Sequence, residues 1–299
     1  MKKTITMVSG ILLVFIAVLG VLSCKGIPPP PIEVPTSPPQ EPPAPPPPPP
    51  PAEPAAPELS VSISPRYFSP DNDGEADELS IAISCKDVSP IREWKMEIRE
   101  PQPPYLLFSE WSGKGSPPAS IKWNGSSSKG ELVQSASDYP YTMTVTNIHG
   151  KSAVREGIIE VDVLVIREGN QLRVQVPSIV FGSNSSGFAG LDSDILARND
   201  AILRRIALVL NKFSSYRINV EGHANLTAAT ESARKLEQEQ ELLPLSEQRA
   251  RHVVDYLVRL NVNRSRLTPI GIGGARPVAS YEDRDNWWKN RRVEFILIK

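Results

Sequence analysis

Several groups of side chains in this 299-residue chain have the types and spacing to do chemistry. Asp71, Asp73, Glu75 and Asp77 alternate along one acidic loop, and carboxylate oxygens at that spacing suit a Ca²⁺ ion. An EF-hand loop needs Gly at its sixth position and Glu at its twelfth, where Ala76 and Ala82 stand. A second reading therefore stays open: a polar turn whose Asp and Asn side chains bond their own backbone. His223 is a potential metal ligand, but no second His, Cys or acid stands at ligand spacing in the sequence, which points to a structural histidine in a tight loop. Arg249 can fork two parallel bonds onto a carboxylate. That carboxylate could belong to a ligand or to a surface neighbour such as Glu247 or Glu221. Trp287 and Trp288 can stack on sugars or fill a core. No Ser/His/Asp, Cys/His or zinc set accompanies these residues, so catalysis, a cofactor and a metal other than Ca²⁺ are not expected. The formal net charge of -1 argues against nucleic acid, because phosphate binding needs a basic excess.

The elements that must position His223, Arg249 and the tryptophans read as α/β. Leu172/Val174/Val176 and Ile179-Val180-Phe181 form a strand pattern interrupted at Pro177. Ile202, Ile206, Val209, Leu210 and Phe213 fall on one face of a helix. Tyr216 to Glu221 alternates as a strand. Ser246 is placed to cap a second helix whose inner face carries Ala250, Val253, Val254, Leu257 and Leu260. Thr268–Ile272 and Val293–Ile298 are the last two strands. The predicted order is βαβαββ, with helices on one side of a mixed sheet.

Four motifs sit at the ends of these elements: Val220-Glu221-Gly222-His223-Ala224-Asn225, Leu245-Ser246-Glu247-Gln248-Arg249-Ala250, Gly271-Ile272-Gly273-Gly274-Ala275-Arg276-Pro277 and Asn290-Arg291-Arg292-Val293-Glu294. In this order they resemble the OmpA-like domain shared by outer-membrane porin tails, Pal lipoproteins and flagellar stator subunits. The resemblance covers residues 170–299 and implies non-covalent binding of the peptidoglycan stem peptide. It implies that Arg249 holds a carboxylate near the start of a helix, where free N–H groups also favour an anion. The position that holds the diamino acid's amine is occupied here by Asn225, where the family carries Asp. Asn290, Arg291 and Arg292 enter the last strand near the same cleft, and alternation allows at most one of the two arginines to point into it. The connection from Asn225 to Arg249 is longer than the family's, helix-prone from Glu231 to Leu243, and placed to reshape or cover the cleft.

Residues 58–168 read as all-β. Leu59/Val61/Ile63, Leu79/Ile81/Ile83/Cys85, Trp94/Met96/Ile98, Tyr141/Met143/Val145 and Ile159/Val161/Val163/Val165 alternate with period two, and turn residues separate them. Such short strands suggest a β-sandwich. The stretch from Trp123-Asn124-Gly125 to Tyr139-Pro140-Tyr141 resembles the Ig-like fold of flagellar hook-capping proteins. Cys85 shares a face with three aliphatic residues and reads as a small buried hydrophobe.

Ahead of both domains, Lys2 and Lys3 precede an uncharged apolar run from Ile5 to Leu22, the layout of a secretory signal peptide over residues 1–23. Leu22-Ser23-Cys24 resembles a bacterial lipobox, which implies cleavage before Cys24 and lipid on its sulfur. Residues 24–57 form a spacer in which 28–57 hold 18 prolines, seven of them consecutive from Pro45 to Pro51. Fixed φ angles and missing donors exclude helix and sheet there, leaving polyproline II that spans on the order of 90 Å at ~3.1 Å per residue. The expected whole is an α+β, lipid-anchored envelope protein, at the outer membrane and facing the periplasm, that tethers membrane to wall. The alternative is an interaction module of an envelope assembly, engaging a protein partner through the β-sandwich.

Overall fold

In the computed structural model, residues 53–182 and 185–299 are described; Cys24, residues 1–23 and most of the proline-rich segment lie outside them. Residues Ala52–Lys299 form one compact unit.

The first part is all-β. Strands β1 (Glu58–Ser64), β3 (Leu79–Lys86) and β6 (Ser120–Trp123) make an antiparallel sheet in the order β1-β3-β6. A second sheet runs β2-β8-β7-β4-β5 and contains β2 (Tyr67–Phe68), β4 (Ile91–Arg99), β5 (Leu107–Lys114), β7 (Asp138–Asn147) and β8 (Ser152–Val161). The period-two pattern fixes which face is buried: Leu79, Ile81, Met96, Ile98, Tyr139, Met143, Val145 and Ile159 share one core. Trp123 is its aromatic hub, 5.5 Å from Phe68 and 6.3 Å from Trp111 between ring centroids. Its indole N–H donates to the Ser126 carbonyl at 2.8 Å, so a polar handle is satisfied as the ring is buried. Cys85 is half-buried and unbridged, with its thiol pushed up by burial.

The second part is α+β. Its sheet has the order β12-β11-β13-β10-β9, formed by β9 (Ile166–Glu168), β10 (Gln171–Val176), β11 (Arg217–His223), β12 (Leu267–Gly273) and β13 (Val293–Ile298). The β11–β12 pair is parallel and the others antiparallel, so the sheet is mixed as predicted. Ile166–Glu168 pairs with β10 rather than continuing β8, which puts the last residues of the sequence-read sandwich into this second sheet. Helices α1 (Ser193–Lys212) and α3 (Leu243–Arg259) cover it, burying Ile202, Leu203, Ile206, Leu210, Val253, Val254 and Leu257. The predicted second half of the first strand does not form. After Pro177 the chain leaves the sheet, and the buried Asn199 of α1 takes over the ladder's role by accepting from the Val180 N–H (3.0 Å) and donating to its carbonyl (2.7 Å).

The helix carrying Arg249 differs from expectation. It does not begin at Ser246. Helix α2 (Glu231–Glu237), capped by Thr230, runs through a π-helical segment (Gln238–Leu242) directly into α3. Pro244 gives the reason for the π turn: it lacks an N–H and its ring crowds the carbonyl four residues back, so the helix widens there instead of stopping. Ser246 is instead a buried clamp, donating to the Leu243 carbonyl (3.0 Å) and accepting from the Gly273 N–H (2.9 Å). Helix and sheet approach so closely that a Cβ on Gly222 would lie 2.1 Å from the Ser246 carbonyl oxygen.

Candidate functional site

Two cavities lie at the ends of β11 and β13, and the sequence-predicted residues divide between them. The first, of about 220 Å³, is lined by Arg249, Arg291, Arg292, His223, Phe181 and Trp288, with Gln102 of the β-sandwich closing one side. Arg249 is half-buried and its Nε donates to the Ser185 carbonyl at 3.0 Å, while its guanidinium carbon sits 5.0 Å from the centre of the Phe181 ring. Burial, and then the charge of Arg291, hold the Arg249 pKa below its ordinary value. Among the described residues neither Arg249 nor Arg291 forms an ion pair. Because α2 and the π segment precede α3, Arg249 lies in the interior of a continuous helix. The expected free N–H groups of a helix start are absent from its side, and anion binding there must come from side chains.

Arg292 takes a different course from Arg291. Its side chain is almost wholly buried, with Nε donating to Glu294 at 2.6 Å and a terminal nitrogen to the Arg276 carbonyl at 3.1 Å. Arg276 in turn bonds Glu221 at 2.6 Å. Glu221 and Glu294 are register partners on β11 and β13, and His223 stands between them, 3.6 and 3.9 Å away. This corrects the sequence reading that no acid stands at ligand spacing. Glu221 is two residues away on the same strand, and Glu294 arrives across the ladder. The three could offer ligand atoms within 4.8 Å of one another. Each carboxylate already carries its own arginine, so the charge is balanced without an ion, and a dication would face Arg276 and Arg292. Burial works to raise the Glu221 carboxyl, and the neighbouring His223 and Arg276 outweigh it. Burial holds His223 below its ordinary pKa, and both of its ring nitrogens lack a partner.

The second cavity, of about 50 Å³, is lined by Asn225, Asn290, Leu226, Arg234, Tyr281 and Gly274, among others. Here every polar side-chain atom of the two asparagines is occupied. Asn290 donates to Asn225 Oδ1 (2.7 Å) and to the Ala279 carbonyl (3.0 Å), and its own oxygen accepts from the Val278 and Ala279 N–H groups. Asn225 donates to the Leu226 carbonyl at 2.8 Å. The long connection folds over this end: the Arg234 guanidinium lies 3.6 Å from the Tyr281 ring centre, and the Tyr281 hydroxyl donates to the Ala228 carbonyl at 2.9 Å. Trp287 packs on Tyr281 and donates to its carbonyl.

Residues 188–291 match the OmpA family. This segment is an OmpA-family domain. The chain is 38% identical over 105 residues to the peptidoglycan-associated lipoprotein of Mesorhizobium japonicum, covering 35% of this chain and 57% of that protein. It is 30% identical over 119 residues to the peptidoglycan-binding protein ArfA of Mycobacterium tuberculosis, covering 40% and 32%. The chain thus spans less than two thirds of the length of these relatives. Among solved structures, the cell wall anchor of the T6SS from Pseudomonas aeruginosa is 26% identical, with a TM-score of 0.35 over 46% of this chain and 87% of that one. The matched segment contains Arg249, Arg291 and the asparagine pair. It does not account for the wall that the β-sandwich adds.

That wall went unforeseen. Lys289, next to Trp288, reaches into the β-sandwich and bonds Glu100 at 2.8 Å and Glu131 at 2.5 Å, with Lys289 and Glu100 both buried. The partners are 189 and 158 residues away, and no local pattern signals such a pairing. The acidic loop behaves as a turn: Asp77 accepts from the Asn72 and Gly74 N–H groups, and Asp73 from Glu75. Asp71, Asp73 and Asp77 remain within 4.8 Å of one another, without Glu75. Asp71 also accepts from the Val165 N–H, tying the loop to the segment that leads into β9.

Proposed function

We propose that this chain is a non-enzymatic cell-envelope protein whose residues 170–299 bind the peptidoglycan stem peptide without a covalent bond. In this reading a lipid on Cys24 anchors it to the outer membrane, facing the periplasm, residues 24–57 act as the spacer, and the protein tethers membrane to wall. The β-sandwich, Ig-like in this reading, is left to meet an envelope protein. The observation that carries the proposal is the unneutralised pair Arg249 and Arg291 facing one half-enclosed cavity. Guanidinium groups in that position call for carboxylates, and the stem peptide supplies several. The names of the OmpA-family relatives support the same ligand.

Sedimentation of the full-length protein with purified sacculi tests this. The wild type is expected to pellet with the wall, and Arg249→Ala to stay largely in solution. A folded wild type that stays in solution contradicts the tether. The closed amine-side pocket would then favour the alternative, an interaction module of an envelope assembly. Mass spectrometry of the membrane-extracted protein tests the anchor: a modified Cys24 at the N-terminus is expected, and an intact Met1 would refute it.

A further inference from the structure

The two cavities differ in what they leave for a ligand. In the larger one, the charges of Arg292 and Arg276 are matched by Glu294 and Glu221. Arg249 and Arg291 have no such counterpart among the described residues, and no Asp or Glu lines the cavity. With Nε held by Ser185, no described residue bonds the terminal nitrogens of Arg249, which leaves them for a ligand. The buried His223, unpartnered at both nitrogens, adds a further polar wall. In the smaller cavity no Asp or Glu is present either, and Arg234 places a positive charge where an ammonium would have to enter. Asn225 could accept from an ammonium only by giving up Asn290.

We propose that this site, on the reading that it binds peptidoglycan, takes two carboxylates of the stem peptide on Arg249 and Arg291 and does not read the diamino acid's amine. One arginine suffices for a single carboxylate, because a guanidinium meets it with two parallel bonds. Two facing one cavity without a counter-charge match a ligand end carrying two. A tripeptide stem whose third residue is a diamino dicarboxylic acid ends in such a group, since that residue keeps a free carboxylate at each end. The consequence is a change of ligand scope. A site that needs a free ammonium rejects stems whose amine has been acylated in a cross-link, whereas this one accepts them.

Calorimetric titration of the full chain with three soluble tripeptide stems separates the possibilities. One carries the free diamino acid, one has its amine acetylated, and one has the diamino acid's carboxylates amidated. Acetylation is expected to change Kd by less than about threefold, and amidation to weaken it by about thirtyfold or more, in line with the greater strength of charge-assisted bonds. Arg291→Gln, at an exposed position, is expected to weaken the free peptide about tenfold and to reduce the salt dependence of binding. A thirtyfold loss on acetylation would overturn the proposal, as would an Arg291→Gln variant that binds like wild type. If no peptide binds yet the protein still sediments with sacculi, the two-carboxylate site is refuted and wall binding stands. If sedimentation also fails, the functional reading falls with it.

Discussion

The pocket around Arg249 and the pocket around Asn225 belong to one domain and to the ends of the same strands, yet they are opposites. Around Asn225 each amide atom has found a protein partner, and Arg234 and Tyr281 close the space. Around Arg249, two guanidinium groups face a cavity with no acid among its described lining residues. Motif position alone would give the two ends of the ligand equal weight. In the structure one end is a recess walled by two arginines with no acid among its described lining residues, and the other has its amide atoms bonded within the protein.

The comparison can be strained at the residue that sits between the two pockets. Lys289 follows the cavity-lining Trp288 and precedes Asn290. Burial works to lower its pKa, but the bonds it donates to Glu100 and Glu131 outweigh that and raise it. Lys289→Met removes the buried cation and leaves Glu100 unpaired, and the expected loss is about 3–5 kcal/mol in urea denaturation. A loss below about 1 kcal/mol would mean that the β-sandwich is not held against the cavity by this pair.

Asn225→Asp tests the closed pocket. An aspartate there keeps the bond from Asn290 but turns a second oxygen toward the Leu226 carbonyl, where the amide now donates. The expected result is about 1–3 kcal/mol of lost stability, with stem-peptide affinity within about threefold of wild type. A clear gain in affinity for a peptide with a free amine would show that the pocket opens in solution.

The smallest effect is the pH dependence. His223 and His252 are both held below the ordinary value of 6.5, in each case first by burial. Below about pH 6.5 the unfolded chain takes up protons at these rings that the fold refuses, so stability is expected to fall as pH drops from 7 toward 5. Each imidazole contributes at most about 1.4 kcal/mol per pH unit in that window. His223→Gln should flatten the slope measured by chemical denaturation at several pH values. An unchanged slope would show that His223 is not kept neutral in the fold.

Much of this architecture was legible in the residue pattern, for physical reasons. Period-two alternation in β3, β4 and β7 and the helical spacing of Ile202 to Phe213 record which faces are buried, so strands, helices and the mixed sheet followed from them. The helix start was placed at Ser246 because serine ahead of an apolar helical face is a capping signal, whereas the helix runs in from α2 through Pro244. A π turn lets the helix run through it. His223, Arg249, Arg291 and Arg292 were singled out from their motifs, but the division of the candidate residues between two pockets was not. For Asn225 and Asn290 the motifs do not report that their amide atoms are bonded within the protein. The acids beside His223 were missed because one comes from another strand. Gln102, Glu100 and Glu131 come from the all-β part of the chain, far away in sequence, and no spacing within a motif reports such contacts.

The most direct test of the proposed carboxylate site is calorimetric titration of a soluble stem tripeptide into the folded full-length protein and its Arg249→Ala variant. The variant is predicted to lose on the order of 2–5 kcal/mol of binding free energy, as expected when one partner of a partly buried charge pair is removed. Equal affinity in the two proteins would contradict the account.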